Sequence, residues 1–141
     1  MIIEAALVCL ALNIYHEARD QPFIGQVAVA QVVMNRVQDR RYPDNVCDVV
    51  KQGPTYRWAE HYPVRHRCQF SWYCDGKSDN PQDQSAWSKA QLIAHGVYHG
   101  NLDDFVEGAT HYHANYVLPA WASSKTPIVQ ISDHKFYRWE G

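Results

Sequence analysis

Apolar residues recur along the chain in blocks whose spacing changes from helical to alternating. Ile3, Leu7, Leu10 and Ile14 fall on one face at three- and four-residue steps, which predicts a helix over residues 2–18. Arg19-Asp20-Gln21-Pro22 ends it. Pro22 suits the first turn of a second helix, with Asp20 or Gln21 near the cap. Phe23, Val27, Ala30, Met34 and Val37 form the expected buried face of that helix, and Gly25 inside it costs about 1 kcal/mol relative to alanine. Tyr42-Pro43-Asp44-Asn45 reads as a turn, followed by a short helix over residues 46–52 that Gly53-Pro54 closes. Residues 54–84 show no sustained period and are expected to form a long loop region, the kind of segment in which sites concentrate. A further helix over residues 85–99 turns Trp87, Ala90, Ala94 and Val97 inward and ends at Gly100-Asn101. Residues 110–116, 128–131 and 135–139 read as short strands. The class is α+β, mainly helical with a small β element. The length of 141 residues suits one domain over 1–141.

Composition narrows the function classes. The formal net charge of −2 gives no basic field for nucleic acid. The apolar N-terminus is interrupted by Glu4, lacks a positive leader and is too short to span a membrane. Synthesis in the cytoplasm without a signal peptide is the expectation, and thiols are the default there. Cys9, Cys47, Cys68 and Cys74 form no CxxC pair, so a zinc ribbon is disfavoured. In an oxidising setting Cys47 would pair with Cys68 or Cys74, with Cys9 left to packing on the first helix. Five Trp and nine Tyr raise the aromatic share to 13%, which suits either a core or a sugar platform, because pyranose C–H faces pack on rings.

Four groups of residues can carry chemistry. Glu17 follows Tyr15-His16 at the end of an apolar helix, where partial loss of water raises a carboxyl pKa as a general acid requires; the plainer reading pairs it with Arg19. The segment from Cys68 to Gly76 is rich in polar and aromatic groups, and Gln69 and Ser71 can hydrogen-bond acetamido and hydroxyl groups; alternatively it is a packed loop ending in an Asp75-Gly76 turn. His111 and His113 alternate on one strand face and could bind zinc with His134, Glu17 or Asp133, although structural histidines are the commoner explanation of such a pattern. Cys74 is the better candidate for a thiol nucleophile, set against a structural role.

Leu12 to Arg19 and the run from Gly25 to Val37, ending Asn35-Arg36-Val37, resemble the SleB/CwlJ-type cell wall hydrolases. The likeness continues at Tyr42-Pro43, at Val46 to Val50, at Gln69-Phe70-Ser71, at Gly108 to Ala114 and at His134 to Tyr137, in the family's order. Asp20 stands where many members have glycine, and residues 54–67 look like an insertion. The resemblance implies a lysozyme-like fold and a peptidoglycan-degrading activity of the endolysin or spore-cortex type. The substrate would be the β-1,4 bond between N-acetylmuramic acid and N-acetylglucosamine.

On that resemblance Glu17 is the general acid. A hydrolase needs a second carboxylate, whereas a lytic transglycosylase uses one group as acid and then as base toward the sugar's own 6-hydroxyl. No second acid lies inside a matched catalytic motif, and Asp75 comes nearest, so the transglycosylase route is favoured. Gln69, Ser71, Thr110 and His111 are the substrate-positioning candidates, and Tyr15 bounds the acid's pocket. No cofactor or metal is expected, the partner is the peptidoglycan strand, and the protein is expected to act on the cell wall as a monomer. A zinc-dependent amidase or endopeptidase and a non-catalytic sugar-binding module are the competing classes. Chelator sensitivity tests the first, and any turnover removes the second.

Overall fold

Four helices and two small antiparallel sheets are built along the chain in a computed structural model that describes residues 2–141, with side chains from Glu4 onward. Helix α1 spans Ile2–Ala18, α2 Phe23–Val37, α3 Val46–Val50 and α4 Gln84–Tyr98. The side chain of Ile3 lies outside the described residues. Leu10 and Ile14 of α1 are fully buried, as their spacing predicts, whereas Leu7 is only partly so.

Helix α2 departs from the expected single face. Phe23 is 52% exposed, while Val27, Ala28, Val29, Ala30, Val32 and Val33 are all at 0%. The reason is that α2 serves two cores. Val27, Ala30 and Val33 pack with Leu10 and Ile14 of α1, Val49 and Val50 of α3, and Ala90, Ile93 and Ala94 of α4. Ala28, Val29 and Val32 pack instead with Val106, Ala109 and Phe136 on the sheet side. A helix with apolar side chains on two faces must be buried on both, and each such valine contributes about 1.5–3 kcal/mol on transfer from water. Pro22 stands at the N-cap with no side-chain cap bond, one place before the expected first turn.

The shorter elements have local causes. Asn45 caps α3, its carbonyl accepting from the Asp48 amide at 2.9 Å, and Asp83 caps α4 by accepting from the Ala86 amide at 3.1 Å. Helix α4 ends as expected: Gly100 adopts φ +71°, its amide donates to Val97 O, and the Asn101 amide donates to Gly96 O, a Schellman closure. The expected loop over 54–84 contains a hairpin, β1 (Thr55–Tyr56) with β2 (Ala59–Pro63), and a 3₁₀ turn at Ser71–Cys74. The hairpin exposes most of its residues on both sides, so it carries no alternating pattern to read.

Strands β3 (His111–Ala114), β4 (Thr126–Ile131) and β5 (His134–Arg138) form a sheet in the order β3-β5-β4, preceded at β4 by a 3₁₀ turn at Ala120–Ser124. Pro127, which has no N–H to give a ladder, sits in edge strand β4 beside a register shift between Pro127 and Val129. Tyr112 pairs with Phe136 and Ala114 with His134, which puts these four on one face; His111 and His113 point to the other. The cysteines pair as Cys9–Cys47 and Cys68–Cys74, so Cys47 joins Cys9 rather than either of the expected partners. Helix α1 brings Cys9 beside α3, a contact through space that spacing along the chain does not reveal. Cys74, as half of a disulfide, is no thiol nucleophile.

Candidate active site

Helix α1 ends at the junction of the two cores, and its last turn carries Glu17 there. Three adjoining cavities of about 360, 300 and 120 Å³ share Glu17 as a lining residue. The largest runs past Tyr15, His16, Ser71, Trp72 and Asp75. The second runs past Asp20, Tyr116, Asp133 and His134, and the smallest past Arg36, Gln69, His111, Tyr112 and Trp121. Together they make a cleft with Glu17 at its centre.

The carboxyl is raised above the ordinary glutamate value, chiefly because burial removes its water. Its place in the last turn of a helix acts the same way, since the C-terminal end of the helix dipole repels an anion. Two contacts oppose the shift: the Tyr112 hydroxyl donates to Oε1, and the charge of Arg36 lies nearby. Glu17 is thus a carboxyl poised to hold a proton while retaining a donor and a cation that stabilise it after the proton leaves. Desolvation and Glu17 push the Tyr112 phenol well above its ordinary range, so Tyr112 stays protonated and donates to Glu17 when that carboxyl is ionised.

Arg36 reaches the cleft from inside α2. It is 5% exposed, donates from Nε to Thr110 O at 2.7 Å, and lies 4.8 Å and 5.3 Å from the Tyr42 and Phe70 ring centroids. Thr110 is itself buried and lines none of the three cavities. Its hydroxyl meets His111 Nδ1 at 2.9 Å, so it orients His111 and Arg36 instead of facing the cleft. His111 is held down to about 4 by desolvation and by the charges of Arg36, Lys125 and Arg41, and is neutral at pH 7. Gln69 and Ser71 line the smallest and the largest cavity respectively.

Tyr15 is buried, and its hydroxyl accepts from the Gln82 and Asp83 amides, both at 3.0 Å. It lines the largest cavity and also ties the far wall to α1. His16 extends the tie: its Nε2 lies 3.0 Å from Asp79 O, and its ring stacks on Trp72 at 4.9 Å. Trp72 donates in turn to buried Asn13 at 2.8 Å.

The zinc-ligand set of the sequence reading is divided by the sheet. His113 is buried and engaged with Tyr137 Oη at 2.8 Å and Ala114 O at 2.7 Å. His134 lies on the opposite face against Tyr112, at 5.2 Å between rings. Among the described residues no group of three His, Cys, Asp or Glu side chains could hold a metal. Sequence reasoning missed Arg36 and Tyr112. A charge embedded in the apolar run from Val27 to Val37 was a readable signal for Arg36. Tyr112 was hidden because attention to the histidine alternation selects the other face of its strand.

Comparison with known proteins decides the family. Residues 20–137 match the family model described as Cell Wall Hydrolase. The chain belongs to the cell wall hydrolase family. The matched span starts three residues after Glu17. A spore cortex-lytic enzyme of Halalkalibacterium halodurans is 32% identical over 128 residues, 90% of this chain and 33% of that protein. The chain therefore spans about a third of that relative's length. A spore cortex-lytic enzyme of Bacillus subtilis is 44% identical over 41 residues. Among solved structures, the catalytic domain of the germination-specific lytic transglycosylase SleB from Bacillus anthracis superposes with a TM-score of 0.68 at 27% identity, covering 94% of this chain and 93% of that one. The catalytic domain of the Bacillus cereus SleB protein superposes at 0.67 with 24% identity, covering 96% of this chain and 91% of that one, which bears on the fold alone. Both agree with the α+β, mainly helical class. Among the described residues no helix is long and apolar enough to cross a membrane.

Proposed function

We propose that this chain cleaves the glycan strand of peptidoglycan at the β-1,4 bond between N-acetylmuramic acid and N-acetylglucosamine, as a lytic transglycosylase in which Glu17 is acid and then base. The observation that carries the reading is that Glu17 is the one carboxyl common to all three cavities, desolvated and yet supported by Tyr112 and Arg36. Family membership and the likeness to a lytic transglycosylase domain support it.

Protonated Glu17 donates to the bridging oxygen as the glycosidic bond breaks. The resulting carboxylate is stabilised by the Tyr112 hydroxyl and the Arg36 charge. It then accepts the proton of the C6 hydroxyl as that oxygen closes on the anomeric carbon, giving a 1,6-anhydro sugar. A tethered hydroxyl avoids the entropy cost of capturing water. Gln69, Ser71 and His111 contact the substrate, Thr110 orients His111, and Tyr15 holds the cleft wall. The 141 residues act as one catalytic domain, as a monomer, at the cell wall.

Asp75 lines the same cavity of about 360 Å³ as Glu17, and this favours a two-carboxylate muramidase as the second reading. Mass spectrometry of digested peptidoglycan separates the two. Anhydro-muramic ends, lighter by one water than reducing ends, are expected, with lysis unchanged by EDTA. Reducing muramic ends together with an inactive Asp75→Asn variant would establish the muramidase instead. Loss of lysis on chelation, restored by zinc, would return the histidines to a metal role.

A further inference from the structure

The smallest cavity has a charge imbalance that glycan cleavage alone does not explain. Arg36 lines it, is 5% exposed, and satisfies its Nε on Thr110 O, yet its Nη1 is buried with no hydrogen-bond partner among the described residues. The two ion pairs among the described residues, Arg41–Asp39 and Arg138–Glu140, leave Arg36 out. The carboxyl acting on it is Glu17, which must be protonated to serve as an acid. In the state ready to react, then, a buried guanidinium has no counter-ion, an arrangement that is costly unless something else supplies the negative charge.

The surroundings repeat the imbalance. His111, which also lines the cavity, lies 5.0 Å from the Trp121 ring and 6.0 Å from the Trp139 ring. Trp139 carries Arg41 at 3.8 Å and Lys125 at 5.1 Å from its ring centroid. Arg41 is matched by Asp39 in a two-bond fork at 3.0 and 2.7 Å, but among the described residues Lys125 donates only to Ser124 Oγ at 3.1 Å. In a chain of net charge −2, this end of the cleft is locally cationic.

We propose that the cavity between Arg36 and His111 is an anion subsite that receives a carboxylate carried on the muramoyl arm of the substrate. This rests on the glycan-cleaving reading of Glu17. The guanidinium offers a charged donor, the Gln69 amide lines the same cavity, and Lys125, beside the Trp139 ring that meets His111, adds longer-range attraction. At about 120 Å³, against 360 and 300 Å³ for its neighbours, the cavity suits a short substituent and not a sugar ring. Its occupant must also sit on a sugar beside the scissile bond, because Glu17 lines it. The 3-O-lactyl group of muramic acid meets both conditions, and N-acetylglucosamine has no acidic counterpart. Where the lactyl carboxyl is tied up as an amide to a stem peptide, the first free carboxylate lies further out on that peptide. Occupation would also neutralise Arg36 and so favour the protonated, donor-ready form of Glu17.

The test uses Glu17→Gln protein, so that ligands are not consumed, and calorimetric titration with three tetrasaccharides of alternating N-acetylglucosamine and N-acetylmuramic acid. One has free lactyl carboxylates, one has them blocked as methyl amides, and one carries L-alanyl-D-glutamate on each lactyl group. The free form is expected to bind at least about tenfold tighter than the blocked form, with the preference shrinking at high salt and lost in Arg36→Gln. If Arg36→Gln does not fold, Lys125→Ala carries the test and lowers the preference roughly two- to fivefold. Tightest binding by the peptide-bearing form, with the same dependence on Arg36 or Lys125, identifies the stem peptide as the source of the carboxylate. Equal affinity for all three ligands, in a protein whose unmutated form lyses walls, overturns the subsite alone. Absence of both binding and lysis overturns the glycan-cleaving reading as well.

Discussion

The floor and the far wall of the cleft are built by different means. The floor consists of Glu17, Tyr112 and Arg36, each projecting from a helix or strand whose neighbours are buried in one of the two cores. The wall, residues 64–83, is mostly exposed turn, closed on itself by the Cys68–Cys74 disulfide. Phe70 and Trp72 anchor it in the helical core, and its side-chain hydrogen bonds to the body fall on one stretch of α1: Asn13 takes Trp72, Tyr15 takes two wall amides, and His16 takes Asp79. The helix turn that presents the acid therefore also positions the surface facing it. Packing of whole helices and strands gives the floor its rigidity, whereas the wall rests on two buried side chains and on these hydrogen bonds. Substitutions on the floor should act on the chemical step, and those on the wall on substrate affinity.

The largest effect is expected from Glu17→Gln. Acid and base roles each contribute roughly 10²–10⁴-fold, so lysis measured by turbidity should fall by at least about 10³. Stability should not fall with it. A carboxyl whose folded pKa is raised makes its contribution below its unfolded value of about 4.3 and costs stability as pH rises through the folded value. The variant should therefore melt at or above the parent temperature at pH 7, with the advantage vanishing toward pH 4. Near-normal lysis by a folded Glu17→Gln protein would remove Glu17 from the mechanism.

Tyr112→Phe comes next. It keeps the ring contacts with His134 and Phe136 but removes the donor that favours ionised Glu17. A hydrogen bond to a charged group is worth about 1.5–3 kcal/mol, so the basic limb of the rate profile should move up by about one pH unit or more, with kcat down roughly ten- to a hundredfold. An unmoved limb would make Tyr112 a packing residue only. Tyr15→Phe should act on the wall: two amides lose their acceptor, stability drops about 1–3 kcal/mol, KM rises several-fold and kcat stays within about twofold. A kcat loss as large as that of Tyr112→Phe would erase the distinction between floor and wall. The smallest change is expected at Trp58→Ala, a residue 80% exposed at the hairpin tip, where chemical denaturation should detect less than about 0.5 kcal/mol.

How much of this was legible in the sequence follows the same division. Helices α1 and α4 and the three C-terminal strands, though not their order in the sheet, could be read because periodicity and terminators agree, as at Gly100. Glu17 stood out by its place at the end of an apolar helix, and the family motifs supported it. Contacts made across the fold could not be read in this way. One-face periodicity cannot anticipate a helix such as α2, wedged between two cores, and it wrongly turned Phe23 inward. The pairing of Cys9 with Cys47 depends on how α1 crosses α3. The hairpin of β1 and β2 has no buried side to impose alternation. Tyr15 and Thr110 were expected at the substrate, but burial gives them supporting positions, with Tyr15 bonded to the wall and Thr110 set behind His111.

The position of α2 has a consequence for how the molecule comes apart. Because Val27, Ala30 and Val33 belong to one core while Ala28, Val29 and Val32 belong to the other, neither half can open without stripping a face of the same helix. Partial unfolding of the sheet half would expose three buried side chains on α2, and unfolding of the helical half would expose the other three. The amides of α2 should therefore exchange with solvent only when the whole chain unfolds, while those of the hairpin exchange through local opening. Arg36, near the end of the same helix, inherits that protection, so the groups around Glu17 should stay assembled until the last cooperative step.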